Sequence, residues 1–308
     1  MHKQQIDYKV LSAHLITIVI WASAFPGIRA GLEHYTPGHL SLFRLLIGSV
    51  LLLLFALVTR MKLPDLRDVP VILLLGFLGF TVYHVGLNMG EKTVAAGPAS
   101  LIVSMTPVFS ILLAAAFMKE RLRLIAWVGT LISFFGVSLI SFEKGGVLSF
   151  NMGVLFILIA SLAESIYFVF QNRYLEKYGF LSFTTYTILA GTIPMLFFLP
   201  GLYEAVITST TEATLSVIYL GIFPTVIPYF TLAYVVSKVG SSEATSALFL
   251  TPVLSFIIAW IWLGEVPTLL SLIGGAISLI GVILVNVKFA KEKEDIPVEQ
   301  IRQSRSMD

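Results

Sequence analysis

Glu164 is the residue of this chain whose type and position point most clearly to chemistry. It lies about twelve residues into an apolar run and is the only acid deep within any such run. An ionisable group near the middle of a bilayer costs about 2.5 to 3.5 kcal/mol on insertion scales, so its presence needs an explanation. One interpretation is that Glu164 binds a substrate ammonium or a coupling proton. The other is that a neutral or paired carboxyl joins two helices.

Arg44 is the only basic residue that the sequence places well inside an apolar run, about six residues from the outer end of that run. Its side chain keeps its charge inside a protein. Arg44 could attract a substrate carboxylate or pair with Glu164. A long side chain at this depth can also extend to the membrane surface, and we favour that structural role for Arg44. Arg29, at the outer end of the first run, is expected to be an interface anchor.

His84 and Asn88 lie four residues apart in a third apolar run, so they share one helix face. That face could line a cavity with hydrogen-bonding groups, and His84 could respond to pH. Alternatively, both side chains only join helices through hydrogen bonds, which are worth about 0.6 kcal/mol each on average in membranes. The sequence favours neither interpretation over the other.

The sequence argues against an enzyme. There is no cysteine, and all five aspartates lie at the termini or in a loop. The motifs of metalloproteases, serine hydrolases and ATP-binding loops are absent as well. We therefore predict no catalytic residues, no metal site, no cofactor and no nucleic-acid partner.

Composition identifies the elements that must position these residues as membrane-spanning helices. Hydrophobic residues make up 57% of the chain, charged residues only 12%, and the mean hydropathy is +0.91. A helix of about 20 apolar residues crosses a hydrocarbon core of roughly 30 Å. Ten runs meet this requirement: residues 11–31, 38–59, 69–89, 95–118, 124–142, 152–171, 182–200, 213–236, 242–263 and 268–288.

An internal repeat relates the two halves of the chain. Residues 94–141 align without a gap on residues 239–286, and the matched positions include the Thr-Pro-Val runs at 106 and 251 and the acids at 120 and 265. Five spans in each half make the second copy insert upside down. Lys and Arg are concentrated in the segments that are inside if both termini are cytoplasmic. We predict repeats at residues 1–146 and 147–290, and a mobile cytoplasmic tail at 291–308.

Pro107 and Pro252 occupy equivalent positions in the two repeats, near the middle of their spans. Proline lacks an amide hydrogen, so each one leaves a carbonyl free and weakens its helix. Both prolines are predicted to be hinges. A static kink that shapes a cavity is the alternative.

The ten spans, the inverted repeats, the segment Trp-Ala-Ser-Ala-Phe at residues 21–25, Arg44 and the paired Thr-Pro-Val blocks together resemble the EamA family of the drug/metabolite transporter superfamily. The resemblance covers nearly the whole chain, from about residue 11 to residue 288. It implies an all-α membrane protein of the bacterial cytoplasmic membrane. It also implies a central cavity bordered by spans one, three, four, six, eight and nine.

Aromatic side chains on those spans are expected to form a wall of the cavity. Such a wall suits an apolar or aromatic side chain, or a cation on a ring face. The chain has 23 phenylalanines, so many aromatic rings must face lipid instead. With the polar residues above, the predicted cavity set is Trp21, Phe25, Arg44, Tyr83, His84, Asn88, Glu164, Tyr167 and Tyr229.

The function predicted from these features is secondary transport of small metabolites, in the direction of export, with amino acids as the leading class. Drug efflux and nucleotide-sugar exchange are alternatives within the superfamily, and an intramembrane enzyme is the alternative outside it. The expected partners are a small-molecule substrate, membrane lipids and, if transport is coupled, protons. The sequence leaves open the substrate, the direction, the coupling and whether the chain is a monomer or a homodimer.

Overall fold

The chain is helical throughout the parts that the computed structural model describes, which are residues 8–118, 124–141, 151–239 and 247–294. No strand occurs in those four ranges. A helix satisfies its backbone hydrogen bonds internally, which is the requirement in a medium without water. The prediction of an all-α protein is therefore confirmed.

Seven helices make up the described part of the first half. They are α1 (Tyr8–Gly31), α2 (Pro37–Val58), α3 (Val69–Gly76), α4 (Tyr83–Glu91), α5 (Ala96–Val103), α6 (Thr106–Met118) and α7 (Leu124–Ser141). A π-helical turn, Phe77–Val82, joins α3 to α4 into one rod. Thr36 caps α2, because its side-chain oxygen accepts a hydrogen bond from the amide of His39, and Pro37 supplies the helical φ at the first position.

The second half also contributes seven helices. They are α8 (Met152–Phe170), α9 (Asn172–Tyr178), α10 (Phe180–Met195), α11 (Leu202–Thr208), α12 (Thr211–Val239), α13 (Thr251–Leu263) and α14 (Leu269–Glu294). Single 3₁₀ turns, Leu196–Phe198 and Ala247–Leu250, follow α10 and precede α13. Helix α14 continues through residues 291–294, so the first part of the predicted mobile tail is helical.

Seven helical segments among the described residues are long and apolar enough to cross a membrane. They coincide with predicted spans one to four and six to eight. Shorter apolar helices, Leu124–Ile140, Thr251–Leu263 and Leu269–Val285, occupy the positions of the other three. The chain is thus built as a multi-pass membrane protein, whereas the count of ten, the inversion and the cytoplasmic termini remain predictions.

Helices α7 and α14 pack tightly through glycines. A Cβ atom at Gly129 would lie 2.7 Å from the carbonyl oxygen of Gly281, and one at Gly136 would lie 2.5 Å from that of Gly274. The contact residue on α14 moves from 281 to 274 as the residue on α7 moves from 129 to 136, so the two helices are antiparallel. Since Gly129 aligns with Gly274 and Gly136 with Gly281 in the repeat, each contact is the counterpart of the other. Two helices related by a two-fold axis make contacts of this kind.

Both repeated prolines lie at the beginning of a helix. Helix α5 ends at Val103, and α6 begins at Thr106 with Pro107 as its second residue. In the same way, the 3₁₀ turn before α13 ends at Leu250, and Pro252 is in the first turn of α13. A proline at this position costs little, because the first amides of a helix have no partner within the helix. The break therefore precedes each proline, and whether it acts as a hinge remains a prediction.

A polar contact ties the loop between α2 and α3 to α9. Lys177 bridges Asp65 and Asp68, with its Nζ 2.7 Å from Asp68 Oδ2. The hydroxyl of Tyr178 donates to the same Asp68 oxygen and accepts from the amide of Asp65. The hydrogen bond from Lys177, followed by that from Tyr178, lowers the pKa of Asp68 below its ordinary value.

Candidate functional site

Glu164 contacts the break between α5 and α6. Thr106, the first residue of α6, donates a hydrogen bond from Oγ1 to Glu164 Oε2 at 2.9 Å. Ser165 fixes the same backbone position, because its hydroxyl donates to the Thr106 carbonyl at 2.8 Å. The residues on either side of Glu164, Ala163 and Ser165, are buried, but Glu164 itself is partly accessible. The carboxylate is therefore held in place by Thr106, and the residue is not fully enclosed by the described part of the chain.

The position of this acid beside a helix start has an electrostatic consequence. The first amides of a helix carry a partial positive charge, and they stabilise a nearby anion. Glu164 accepts its hydrogen bond from the side chain of the residue that begins α6. A carboxyl held at this position suits the binding of an ammonium group.

Arg44 points into the protein rather than to the membrane surface. Its side chain is only 5% exposed, and Nε donates to Thr225 Oγ1 on α12 at 2.9 Å. Its other guanidinium nitrogens donate to no group among the described residues. The snorkelling that we favoured from the sequence is therefore wrong, and no ion pair joins Arg44 to Glu164 within the described ranges.

The first of two prolines in α12, Pro224, explains how Arg44 is held. Pro224 has no amide hydrogen, so the carbonyl of Leu220, four residues earlier, lacks its helical partner. The hydroxyl of Thr225 donates to this carbonyl at 2.8 Å, which leaves its oxygen free to accept from Arg44. The sequence marks Pro224 as a break in α12, but only the packing of α2 on α12 brings Arg44 to it.

The second proline, Pro228, positions Trp21 in the same way. Pro228 frees the carbonyl of Pro224, and Trp21 Nε1 on α1 donates to that oxygen at 3.2 Å. The Trp21 ring also meets Tyr229 edge to face, with centroids 5.7 Å apart. The carbonyl groups that the two prolines of α12 leave free thus position two residues of the predicted cavity set, Arg44 (through Thr225) and Trp21.

An aromatic cluster connects these side chains to α4 and α8. Phe80, in the π-helical turn, is at its centre, with centroid distances of 6.4 Å to Tyr229, 5.4 Å to Tyr167 and 6.1 Å to His84. Tyr83 joins through an edge-to-face contact with His84 at 5.0 Å. We use the name aromatic cluster below for Trp21, Phe80, Tyr83, His84, Tyr167 and Tyr229.

Tyr83 and Tyr229 interact electrostatically with both ionisable groups of the site, Arg44 and Glu164. Both rings are also partly accessible, as Glu164 is. The cluster therefore contains two partly accessible tyrosines that respond to a cation on α2 and to an acid on α8.

Two members of the predicted cavity set lie elsewhere. Asn88 Nδ2 donates to Ser41 Oγ at 2.7 Å, so it ties α4 to α2, and Asn88 is fully buried. His84, one turn before Asn88 on α4, is not one of these two, because it belongs to the aromatic cluster. Its Nδ1 is hydrogen-bonded to the Phe80 carbonyl at 2.9 Å. Phe25 is 6% exposed and belongs to the buried hydrophobic core, and it makes no ring contact with the aromatic cluster among the described residues. A cavity role for Phe25 and Asn88 remains a prediction.

Sequence reasoning missed three residues of this site. Phe80 gave no signal, because phenylalanine is abundant in the chain and a π-helical turn has no simple sequence pattern. Thr225 was hidden beside the prolines of α12. Thr106 was the one that could have been found, since it begins the repeated Thr-Pro-Val run.

An open cleft of about 520 Å³ lies between α12 and α13. The described residues of its lining are Thr211, Glu212, Leu215, Ser216, Tyr219 and Trp262. None of them belongs to the predicted cavity set. Tyr219 nevertheless links the cleft to the site, since its hydroxyl is 2.5 Å from Ser23 Oγ on α1 and it interacts electrostatically with Arg44.

Known proteins with similar sequences are transporters. The chain is 58% identical over 94% of its length to "Uncharacterized transporter YdfC" of Bacillus subtilis, of which it also covers 94%. It is 37% identical to a "Probable terminal-alkyne amino-acid exporter" of Streptantibioticus cattleyicolor, over 90% of this chain and 93% of that protein. An "Uncharacterized inner membrane transporter YedA" of Escherichia coli K12 is 27% identical, over 87% of this chain and 88% of that protein.

A solved structure and a family model agree with these relatives. One crystal structure, of a protein 19% identical, superposes with a TM-score of 0.61 over 94% of this chain and 100% of that one, which supports the fold alone. The model of the EamA-like transporter family matches twice, at residues 9–142 and 151–287. This chain is a multi-pass protein of the cell membrane, and it belongs to the EamA-like transporter family.

Proposed function

We propose that this protein is a secondary transporter that exports amino acids by alternating access, and that it catalyses no reaction. The observation that carries the proposal is that Tyr83 and Tyr229 each interact electrostatically with both Arg44 and Glu164. A free amino acid is a zwitterion, so its carboxylate needs a cation and its ammonium an anion. For the first, Arg44 keeps guanidinium donors that no described residue uses, and for the second, Glu164 is the partly accessible acid.

The aromatic cluster is the proposed site for the substrate side chain. Ring faces accept apolar and aromatic groups, and they also tolerate a cation. The relative from Streptantibioticus cattleyicolor is a probable exporter of a terminal-alkyne amino acid, which supports an amino-acid substrate with an apolar side chain.

The proposed mechanism rests on two inverted five-helix repeats with cytoplasmic termini. The double match of the family model supports two repeats, and so does the reciprocal glycine contact of α7 with α14. The breaks before Pro107 and Pro252 are the proposed hinges, because the broken backbone offers the fewest helical hydrogen bonds to distort. Membrane lipids surround the chain, which works as a monomer or a homodimer.

Counterflow in proteoliposomes tests the proposal directly. Vesicles are preloaded with one unlabelled amino acid, and uptake of its labelled form is followed with and without a pH gradient. We expect exchange with apolar and aromatic amino acids, and none with the corresponding amines or carboxylic acids alone. No exchange with any amino acid, while nucleotide sugars or cationic drugs exchange, would refute an amino-acid substrate.

Glu164→Gln is the matched variant for that assay. The amide keeps the size of the carboxyl and the contact with Thr106, but it removes the negative charge that would hold an ammonium. We expect folding to be retained and exchange to fall at least tenfold, since a charged hydrogen bond is worth about 1.5 to 3 kcal/mol. Glu33→Gln, an exposed acid after α1, is the control. Unchanged exchange and pH response in Glu164→Gln would leave Glu164 as a structural contact between helices.

A further inference from the structure

Glu91 is a buried acid that the proposed substrate site does not use. It is the last residue of α4, and its side chain is fully buried. Neither of its carboxylate oxygens has a hydrogen-bond partner in the part of the chain that the structure describes. An ionised carboxylate offers about four acceptor positions, and burying it with none of them used costs far more than burying the neutral acid. The geometry therefore favours a Glu91 that carries a proton.

The nearest cation is already engaged by other groups. Arg29, on α1, forms an ion pair with Glu265, with Nε 3.1 Å from Oε1. Arg29 Nη1 also donates to the backbone carbonyl of Glu91 rather than to its side chain. Glu265 in turn accepts from the amide of Ala96 at 2.9 Å, so it caps the start of α5. Arg29 thus joins α1, α4 and the segment after α13, and its charge is balanced by Glu265.

The ionisable groups around Glu91 come from several elements. Arg29 and Glu265 face it from α1 and from the segment after α13, Arg44 faces it from α2, and Tyr83 lies on α4 itself. Helix α5 has no ionisable side chain, and those of α8 make their contacts elsewhere. Arg44 acts on Glu91 only at a distance, since its one hydrogen bond among the described residues goes to α12. Lys92 follows Glu91 in the chain and is exposed, and Arg29 contacts Glu91 through the backbone carbonyl. None of these bases donates to the carboxylate among the described residues.

We propose that Glu91 is a second ligand site, for a coupling proton, at the predicted outer end of the transport path. It holds the proton while Arg29 is paired with Glu265. When the outer ends of α1 and α13 separate, that ion pair breaks, and Arg29 is released towards Glu91. The O–H bond of Glu91 then breaks, the proton passes to the outer water, and the Arg29 guanidinium replaces it as the partner of the carboxylate.

This inference rests on the proposed transport function. It assigns the binding of the substrate ammonium and the binding of the coupling proton to different acids. Glu164, whose carboxylate accepts a hydrogen bond from Thr106, binds the substrate ammonium. Glu91, whose carboxylate oxygens meet no donor among the described residues, takes the proton. In a transporter with separate sites, substrate and proton can be coupled because each favours either the closed or the separated state of the outer helix ends.

Infrared spectroscopy of the purified protein in lipid tests the proton directly, without any substrate. A protonated carboxyl has a C=O band distinct from that of a carboxylate. We expect this band at neutral pH in the wild type and a lower intensity in Glu91→Gln, with Glu33→Gln as the exposed control. Because an amide resembles the neutral acid, Glu91→Gln is expected to fold with the stability of the wild type. A band whose intensity is the same in Glu91→Gln and in the wild type, or a variant that fails to fold, would overturn the proposal.

Counterflow then separates this inference from the proposed function. If amino acids exchange, Glu91→Gln is expected to keep exchange and to lose its response to an imposed pH gradient. A response to the gradient that is unchanged in Glu91→Gln, or exchange that depends on Na⁺ and not on pH, would overturn the proton site. If no amino acid exchanges, the proposed function fails, and the infrared band still decides whether Glu91 holds a proton.

Discussion

Thr106 Oγ1 lies 2.9 Å from Glu164 Oε2 and 2.8 Å from the carbonyl oxygen of Val103. One hydroxyl hydrogen can serve only one of these acceptors at a time. The first acceptor belongs to the proposed substrate site, and the second belongs to the end of α5, where the helix is broken. An ammonium that binds Glu164 would replace the Thr106 hydroxyl there, and the hydroxyl could then donate to the Val103 carbonyl. Thr106 thus connects substrate binding to the break between α5 and α6.

Thr106→Val is expected to weaken both the site and the fold. Valine has the shape of threonine without the hydroxyl, so Glu164 and Val103 both lose their donor. Interhelical hydrogen bonds in membranes are worth about 0.6 kcal/mol on average and about 1.7 at most, which sets the expected loss of stability. Thermal unfolding in detergent measures this loss, and Thr106→Ser, which keeps the hydroxyl, is the control. Equal stability and equal exchange in the valine and serine variants would contradict the role given to this hydroxyl.

Arg44→Gln is expected to raise the apparent KM for amino acids by roughly 10- to 100-fold, because a charged hydrogen bond to the substrate carboxylate is worth about 1.5 to 3 kcal/mol. Arg44→Lys keeps the charge but loses the planar donor fork, so its effect should be smaller. The readout is the concentration dependence of counterflow. A KM that is the same in Arg44→Gln and in the wild type would show that Arg44 only supports α12.

Asp68→Asn is expected to reduce stability at neutral pH and to make little difference in acid. Lys177 and Tyr178 lower the pKa of Asp68 in the folded state, so the stabilisation is present above the pKa of the unfolded chain. It is lost as the pH falls through the lower, folded-state pKa. Thermal unfolding of both proteins at pH 7 and near pH 3 measures the effect, with Glu176→Gln, an exposed acid on the same helix as Lys177, as the control. A difference that is constant with pH would contradict this account.

Gly136→Ala is expected to destabilise the contact between α7 and α14. A Cβ atom at this position would lie 2.4 Å from the backbone nitrogen of Ser278, and a backbone atom has little freedom to move. Overpacking of this kind costs about 1 to 3 kcal/mol. Gly27→Ala is the helical control, because the atom nearest to its Cβ is a flexible methyl of Leu220 at 3.1 Å. The two variants are compared by thermal unfolding, and similar stability would argue against close packing of α7 on α14.

Much of the fold was predictable because it depends on local properties of the sequence. Long apolar runs can exist in a membrane only as helices, so hydropathy alone located the spanning elements. The helix breaks were less clear, since Pro107 suggested a weak point within one helix whereas the structure places it at the start of another.

The site was predictable only in part. Glu164, Arg44, Tyr83 and Tyr229 were chosen from the sequence because charge and aromaticity are uncommon inside a membrane or are suited to ligands. The sequence did not reveal that Arg44 would turn inward, because that depends on a carbonyl freed by Pro224 on a helix about 180 residues away in the chain. Such a partner becomes visible only when α2 and α12 are packed together.

The sequence by itself determined a multi-pass helical membrane protein, its internal repeat and its family, because hydropathy, periodicity and motif spacing are properties of the linear chain. Only the tertiary structure decided which ionisable groups meet. It joined Arg29 to Glu265 and left the buried Glu91 carboxylate without a hydrogen-bond partner among the described residues, although neither acid was part of the predicted site. The physical reason is that the state of a buried charge depends on the donors within about 3 Å of it, and helices distant in sequence supply them.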